Sequence, residues 1–191
     1  NTVFNLTHSG TGHTGTASIG EIVGVNNTLN IQSGLTLTNL NMTFGGDQNI
    51  SNLTIDPSSS IQSSDFTFKP GAVGSMLNKL AGTGTHTNGN SIVIEGGVYE
   101  DQISIGQGVR RLEISGADMQ SDLKIAMHQD EAPAGNAPDV VIENVGTATK
   151  LADTIVTGKN LHLSVSGTDT AAMGAFKTTQ TGNRLDLDFP G

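Results

Sequence analysis

Apolar residues alternate with Thr, Ser, Asn or Asp along most of this chain. Glycine interrupts the alternation about every eight to thirteen residues, the rhythm of short strands joined by turns. The pattern is plainest at Leu29-Asn30-Ile31, Leu35-Thr36-Leu37, Leu40-Asn41-Met42-Thr43-Phe44, Leu53-Thr54-Ile55, Ile103-Ser104-Ile105, Leu112-Glu113-Ile114, Leu161-His162-Leu163-Ser164-Val165 and Leu185-Asp186-Leu187-Asp188-Phe189. Successive side chains of an extended backbone point to opposite sides, so each segment has one face to bury and one to expose. The pattern therefore predicts an all-β chain. One stretch departs from it: Gly71 to Ala81 places Val73, Met76, Leu77 and Leu80 at helical spacing, with Gly82 where a helix would end.

Punctuation divides the chain further. Residues 1–18 carry Gly10-Thr11-Gly12-His13-Thr14-Gly15 and read as a flexible N-terminal arm with a short extended piece from Val3 to Thr7; residues 19–191 read as a single β-rich domain. Asn26-Asn27, Gly34, Gly45-Gly46-Asp47 and Asp56-Pro57-Ser58 supply turns between Ile19 and Phe68. Asn27, Asn39 and Asn52 each come just before an apolar-polar-apolar triplet, at nearly equal spacings that suggest a degenerate repeat. Gly82 to Asn90 and the Pro-containing His128 to Asp139 read as loops, and Ala171 to Phe176 as a helical turn.

Composition narrows the kind of core. Hydrophobic residues make up 35% and aromatics 4%, Trp is absent and there are 25 glycines, so the interior must be built from Leu, Ile and Val between closely approaching strands. The formal charge of −9 repels phosphate backbones and anionic headgroups, which argues against nucleic acid and membrane partners. No apolar run reaches the roughly 20 residues of a spanning helix. The lack of cysteine removes disulfides and thiolate metal sites. The start Asn1-Thr2-Val3-Phe4 has the look of a processed product, and with few lysines and abundant Thr, Asn, Ser and Gly it sets the expectation of an extracellular or cell-surface protein.

The run Ile92-Val93-Ile94-Glu95-Gly96-Gly97-Val98-Tyr99-Glu100-Asp101-Gln102-Ile103-Ser104-Ile105, followed by Val109 to Gly116, resembles a rung of the right-handed parallel β-helices of the pectin-lyase and pectinesterase type. In that superfamily a strand leads through a Gly-x-Tyr-x-Glu turn to a second strand and then to one ending in Gly. The resemblance covers Ile92 to Met127 and implies a parallel β-helix, with a jelly-roll β-sandwich exchanging terminal strands as the alternative. It also implies a polysaccharide lyase or esterase as one functional alternative. Those enzymes set an Asp pair with an Arg, or calcium-binding acids with a basic Arg, on one face. Here Arg110 and Arg111 are consecutive, so strict alternation would turn only one toward a given groove; Asp118 and Asp122 fall in the next turn, outside the family's local motif.

The remaining chemistry is sparse. His8, His13, His86, His128 and His162 are scattered without metal-site spacing and read as surface residues. Asp186 and Asp188 point to one face of the last strand and form a candidate calcium site; Asp130, Glu131 and Asp139 make a second acidic cluster. No Gly-x-Ser-x-Gly elbow exists, and Gly82-Thr83-Gly84-Thr85 lacks the Lys and helix of a phosphate loop. Asn5, Asn26, Asn41, Asn49 and Asn52 occupy glycosylation sequons. The chain ends carry more information. Val3, Phe4 and Leu6 at the start, and Leu185, Leu187 and Phe189 at the end, form apolar rows on extended segments suited to strand addition between subunits. The expectation is a non-enzymatic structural protein, a self-assembling filament or adhesin subunit that partners itself and requires no cofactor. A glycan-binding, tail-fibre-like module is the alternative.

Overall fold

The computed structural model describes residues 3–7, 14–16, 24–32, 35–45, 48–56, 59–72, 77–78, 80, 89–127, 129 and 137–190. The chain is a parallel β-solenoid of about six turns. Its spine is a seven-stranded sheet in which β5 (Asn41–Phe44), β8 (Asp65–Phe68), β9 (Asn90–Ile94), β12 (Val109–Ser115), β15 (Val140–Val145), β18 (His162–Gly167) and β20 (Arg184–Asp188) stack in that order. Two three-stranded sheets complete the first coils: β1 (Val3–Leu6), β3 (Gly24–Ile31) and β6 (Gln48–Ile55) in one, β2 (Thr14–Thr16), β4 (Thr36–Thr38) and β7 (Ser60–Gln62) in the other. A three-stranded and a four-stranded sheet complete the later coils: β10 (Gly97–Tyr99), β13 (Ala117–Met119) and β16 (Lys150–Leu151), then β11 (Ile103–Ile105), β14 (Leu123–Ile125), β17 (Thr154–Val156) and β19 (Phe176–Thr178). Every ladder between these strands is parallel, which excludes the jelly-roll, whose hairpins and Greek keys pair antiparallel.

Alternation within each strand becomes a column through the stack. Met42, Phe66, Ile92, Leu112, Val140, Leu163 and Leu185 lie in register along one inward column of the spine, and Phe44, Phe68, Ile94, Ile114, Ile142, Val165 and Leu187 along the next. All are buried except the last pair, Leu185 at 40% exposure and Leu187 at 54%, on the edge strand β20. Phe44, Phe66 and Phe68 lie in these columns, and Phe44 stacks on Phe68 with ring centroids 5.0 Å apart.

The corners use polar side chains to occupy backbone groups that no strand can reach. Ser64 Oγ accepts the Leu40 N–H at 3.0 Å; one coil later, buried Asn90 accepts the Ser64 N–H at 3.2 Å and donates to Ile61 O at 3.1 Å. Asn39 and Ser63 hold positive φ at the same corner of successive coils. Gly45, at φ +85°, must be glycine, since a Cβ there would collide with the Lys69 carbonyl oxygen. The asparagine spacing of the sequence is the echo of this architecture: Thr28 pairs with Asn52, a full coil further on, and Asn39 sits at the corner between.

Of the stretch Gly71 to Ala81 expected to be helical, Leu77, Asn78 and Leu80 are helical, with Leu77 and Leu80 buried, while Val73 and Met76 lie outside the described residues. Asn78 accepts the Ser104 N–H at 2.7 Å and donates to Gln102 O at 3.1 Å, so its amide serves as a one-residue strand beneath the first strand of its sheet, β11. The turn expected near Ala171 is a 3-10 turn at Thr170–Ala172 capped by Asp169. In the stretch read as an arm, Val3–Leu6 and Thr14–Thr16 are strands laid on β3 and β4. The loop readings at 82–88 and 130–136 lie outside the described residues. No helix among the described residues is long and apolar enough to cross a membrane.

Candidate functional surfaces

The outer face of the spine carries most of the ionic chemistry. A depression of about 370 Å3 is lined by Val93, Glu95, Arg111, Glu113, Val141 and Glu143. Glu113 lies between Val93 and Val141 in the same outward column. Arg111 Nε donates to Glu113 Oε1 at 2.6 Å, and Lys69 approaches Glu95 to 3.6 Å. Both consecutive arginines are exposed, contrary to simple alternation. A register shift between Val109 and Arg111 inserts an extra residue, and Arg110 then reaches Asp65 at 3.8 Å. Asp118 lies on β13, in another sheet, and Asp122 just ahead of β14, so neither joins Arg111 on the spine.

The last coil brings together a second set. Arg184 Nε donates to Asp186 Oδ1 at 2.9 Å, and His162 Nε2 lies 2.9 Å from Asp186 Oδ2. The hydrogen bonds from Arg184 first and His162 second hold the Asp186 carboxyl below the usual range. His162 is a correction to the surface reading: it occupies an outward position, but Arg184 and Asp186 of the next coil close over it and leave its side chain 3% exposed. His8, His13, His86 and His128 lie outside the described residues. Among the described residues no group of three or more His, Asp or Glu side chains converges as a metal site; Asp188 shares its face with Asp186, whose two oxygens are occupied, and Asp130 and Glu131 are not described.

On the neighbouring corner Asp153 accepts from Lys177 and from the Ala175 N–H, which lowers its pKa, and the Asp153 carboxylate in turn raises that of Lys177. Tyr99 is buried with its hydroxyl donating to Gly96 O at 3.0 Å, and burial pushes its pKa to about 12.

The terminal rows expected to form an interface fall at the two ends of the stack. Val3 is 60% and Phe4 36% exposed on β1, while Leu6 packs partly against the core. Leu185 and Leu187 project from β20, and Phe189 packs partly against the core. Both terminal strands pair within their own chain, β1 with β3 and β20 with β18, and each is the edge of its sheet. Reasoning from sequence missed the corner amides of Asn78, Asn90 and Asn183; the recurrence of Asn just ahead of apolar triplets was the available signal.

The class this geometry defines is a parallel β-solenoid with an ionic outer spine. Comparison with protein-family models, with curated proteins and with solved structures finds no match to the chain.

Proposed function

We propose that the chain is an extracellular structural protein, the self-assembling subunit of a surface filament or adhesin, acting without catalysis. One observation carries this reading: the buried columns of the solenoid continue into Leu185 and Leu187 at 40% and 54% exposure on an edge strand, and Phe4 marks the opposite end at 36%. An exposed apolar row on an edge strand suits strand addition from another subunit. Electron microscopy and sedimentation of the purified protein test it: polymers should lengthen with concentration and shorten when residues 1–9 or 184–191 are removed. Monomers at every concentration would refute it.

The spine depression supports a second reading, a glycan-binding module. Carboxylates and a guanidinium stand among the two separate apolar side chains of Val93 and Val141, a combination that suits the hydroxyls and C–H faces of sugars. The pectin-lyase likeness belongs here too, since Ile92–Met127 spans two successive coils, β9 to β11 and β12 to β14. Glycan binding without cleavage, abolished by Glu143→Lys, supports this second reading; release of cleaved products would favour the lyase alternative.

A further inference from the structure

We infer that the spine depression takes a β-1,4-linked chain of amino sugars, laid along the solenoid axis with one sugar per coil, and that it discriminates against uronates. The inference rests on the glycan-binding reading of this depression and names its ligand class.

The depression crosses three coils, those of β9, β12 and β15. Adjacent strands of a sheet lie about 4.8 Å apart, so equivalent positions two coils apart are separated by about 10 Å. That is also the repeat of an extended β-1,4 chain, in which every second sugar turns the same edge to the same side. Glu95 and Glu143 stand at such positions: Ser115 pairs with Glu143, and Glu95 follows Ile94, the partner of Ile114. A chain running across the strands therefore brings alternate 2-amino groups to Glu95 and Glu143, with the intervening sugar over Ser115. Ser115 Oγ accepts from Asn144 Nδ2 at 2.9 Å and keeps its own proton to donate. Val93 and Val141, on either side of Glu113 in the neighbouring outward column, meet the C–H faces of the sugars.

Charge selects the amine. The lining holds three carboxylates, Glu95, Glu113 and Glu143, against one guanidinium, Arg111. Arg111 is already engaged with Glu113 at 2.6 Å, whereas Lys69 approaches Glu95 only to 3.6 Å, in an exposed pair of little strength. Glu143 has no ion pair among the described residues. An ammonium group thus finds one free carboxylate and one loosely held. A uronate meets no unpaired cation in the lining, and the surplus of carboxylates repels it. The backbone contributes to this placement: the β15 ladder slips between Ile142 and Val145, Asn144 takes a φ of 60°, and both Glu143 and Asn144 are exposed there.

Isothermal titration of the full chain tests the assignment with three oligosaccharides of equal length: fully deacetylated glucosamine, its N-acetylated counterpart and galacturonate, in mildly acidic buffer where the amines are charged. The amine form should bind about fivefold more tightly than the acetylated form, the worth of two exposed ion pairs, and the galacturonate should not bind. Glu143→Gln, a change of charge without a change of shape at an exposed position, should cut that preference to about twofold and leave the affinity for the acetylated form unchanged. Equal binding of amine and acetylated chains, galacturonate binding as tight as either, or a preference untouched by Glu143→Gln would overturn the ligand class and leave the glycan-binding reading standing. Binding of none of the three would overturn both.

Discussion

Truncating the same inward column at its middle and at its end measures how open the last coil is. Ile142 and Leu187 belong to one column, yet Ile142 is fully buried and Leu187 is 54% exposed. Ile142→Ala removes a side chain enclosed by coils on both sides, which costs the transfer of the lost methylenes plus an unfilled cavity, about 3 kcal/mol. Leu187→Ala loses only the covered part of its side chain. Full burial of a leucine contributes about 2 kcal/mol, so roughly half burial gives about 1 kcal/mol, with no cavity because solvent already occupies the space. Urea unfolding of both variants, at a concentration low enough to keep the protein monomeric, reads the difference as a shift in midpoint at constant slope. Amide exchange adds a spatial check, since in a stack stabilised coil by coil the β20 amides should open before those of β12. A Leu187→Ala loss equal to that of Ile142→Ala would refute the reasoning, because it would mean that this coil is covered.

Three further outcomes follow from the polar groups. Asn90→Ala strands the Ser64 N–H and the Ile61 carbonyl inside the corner and should cost about 2–4 kcal/mol in urea unfolding, whereas a loss below about 0.5 kcal/mol would show that water replaces the amide. The depressed pKa of Asp186 favours the fold above the unfolded carboxylate value of about 3.9 and is lost as pH falls through the lower folded value; Asp186→Asn should therefore flatten the loss of stability on the acid limb, and an unchanged pH profile would contradict it. Tyr99 is the chain's single tyrosine, so ultraviolet absorbance should show no phenolate formation near pH 10 while the protein stays folded, its transition lying near 12; a normal titration would show the hydroxyl to be solvated.

Much of the fold was legible because strand alternation is local. Leu112-Glu113-Ile114 buries its outer pair and turns its middle residue outward wherever it is placed, and Leu77 and Leu80 announce a helical turn by spacing alone. The candidate surfaces were less legible. The bulge that turns both Arg110 and Arg111 outward arises from matching β12 to β9, and the closure of Arg184 and Asp186 over His162 depends on a neighbour one whole coil further along the chain. Alternation carries no record of either.

The sequence by itself determined that this protein is extended and stacked, which residues would face its core, and that its last strand would carry an apolar row opposed by charges. Only the tertiary structure decided which strands lie on which, because a parallel partner is reached by way of two further strands and three connections whose lengths vary: the coil that carries Ile92 to Leu112 is shorter than the one that carries Leu112 to Val140. Side-chain direction alternates from one residue to the next and is settled within a strand. Register is settled by corner amides, glycines at positive φ and the fit of one coil on the next, and those meet only when the chain has wound once around.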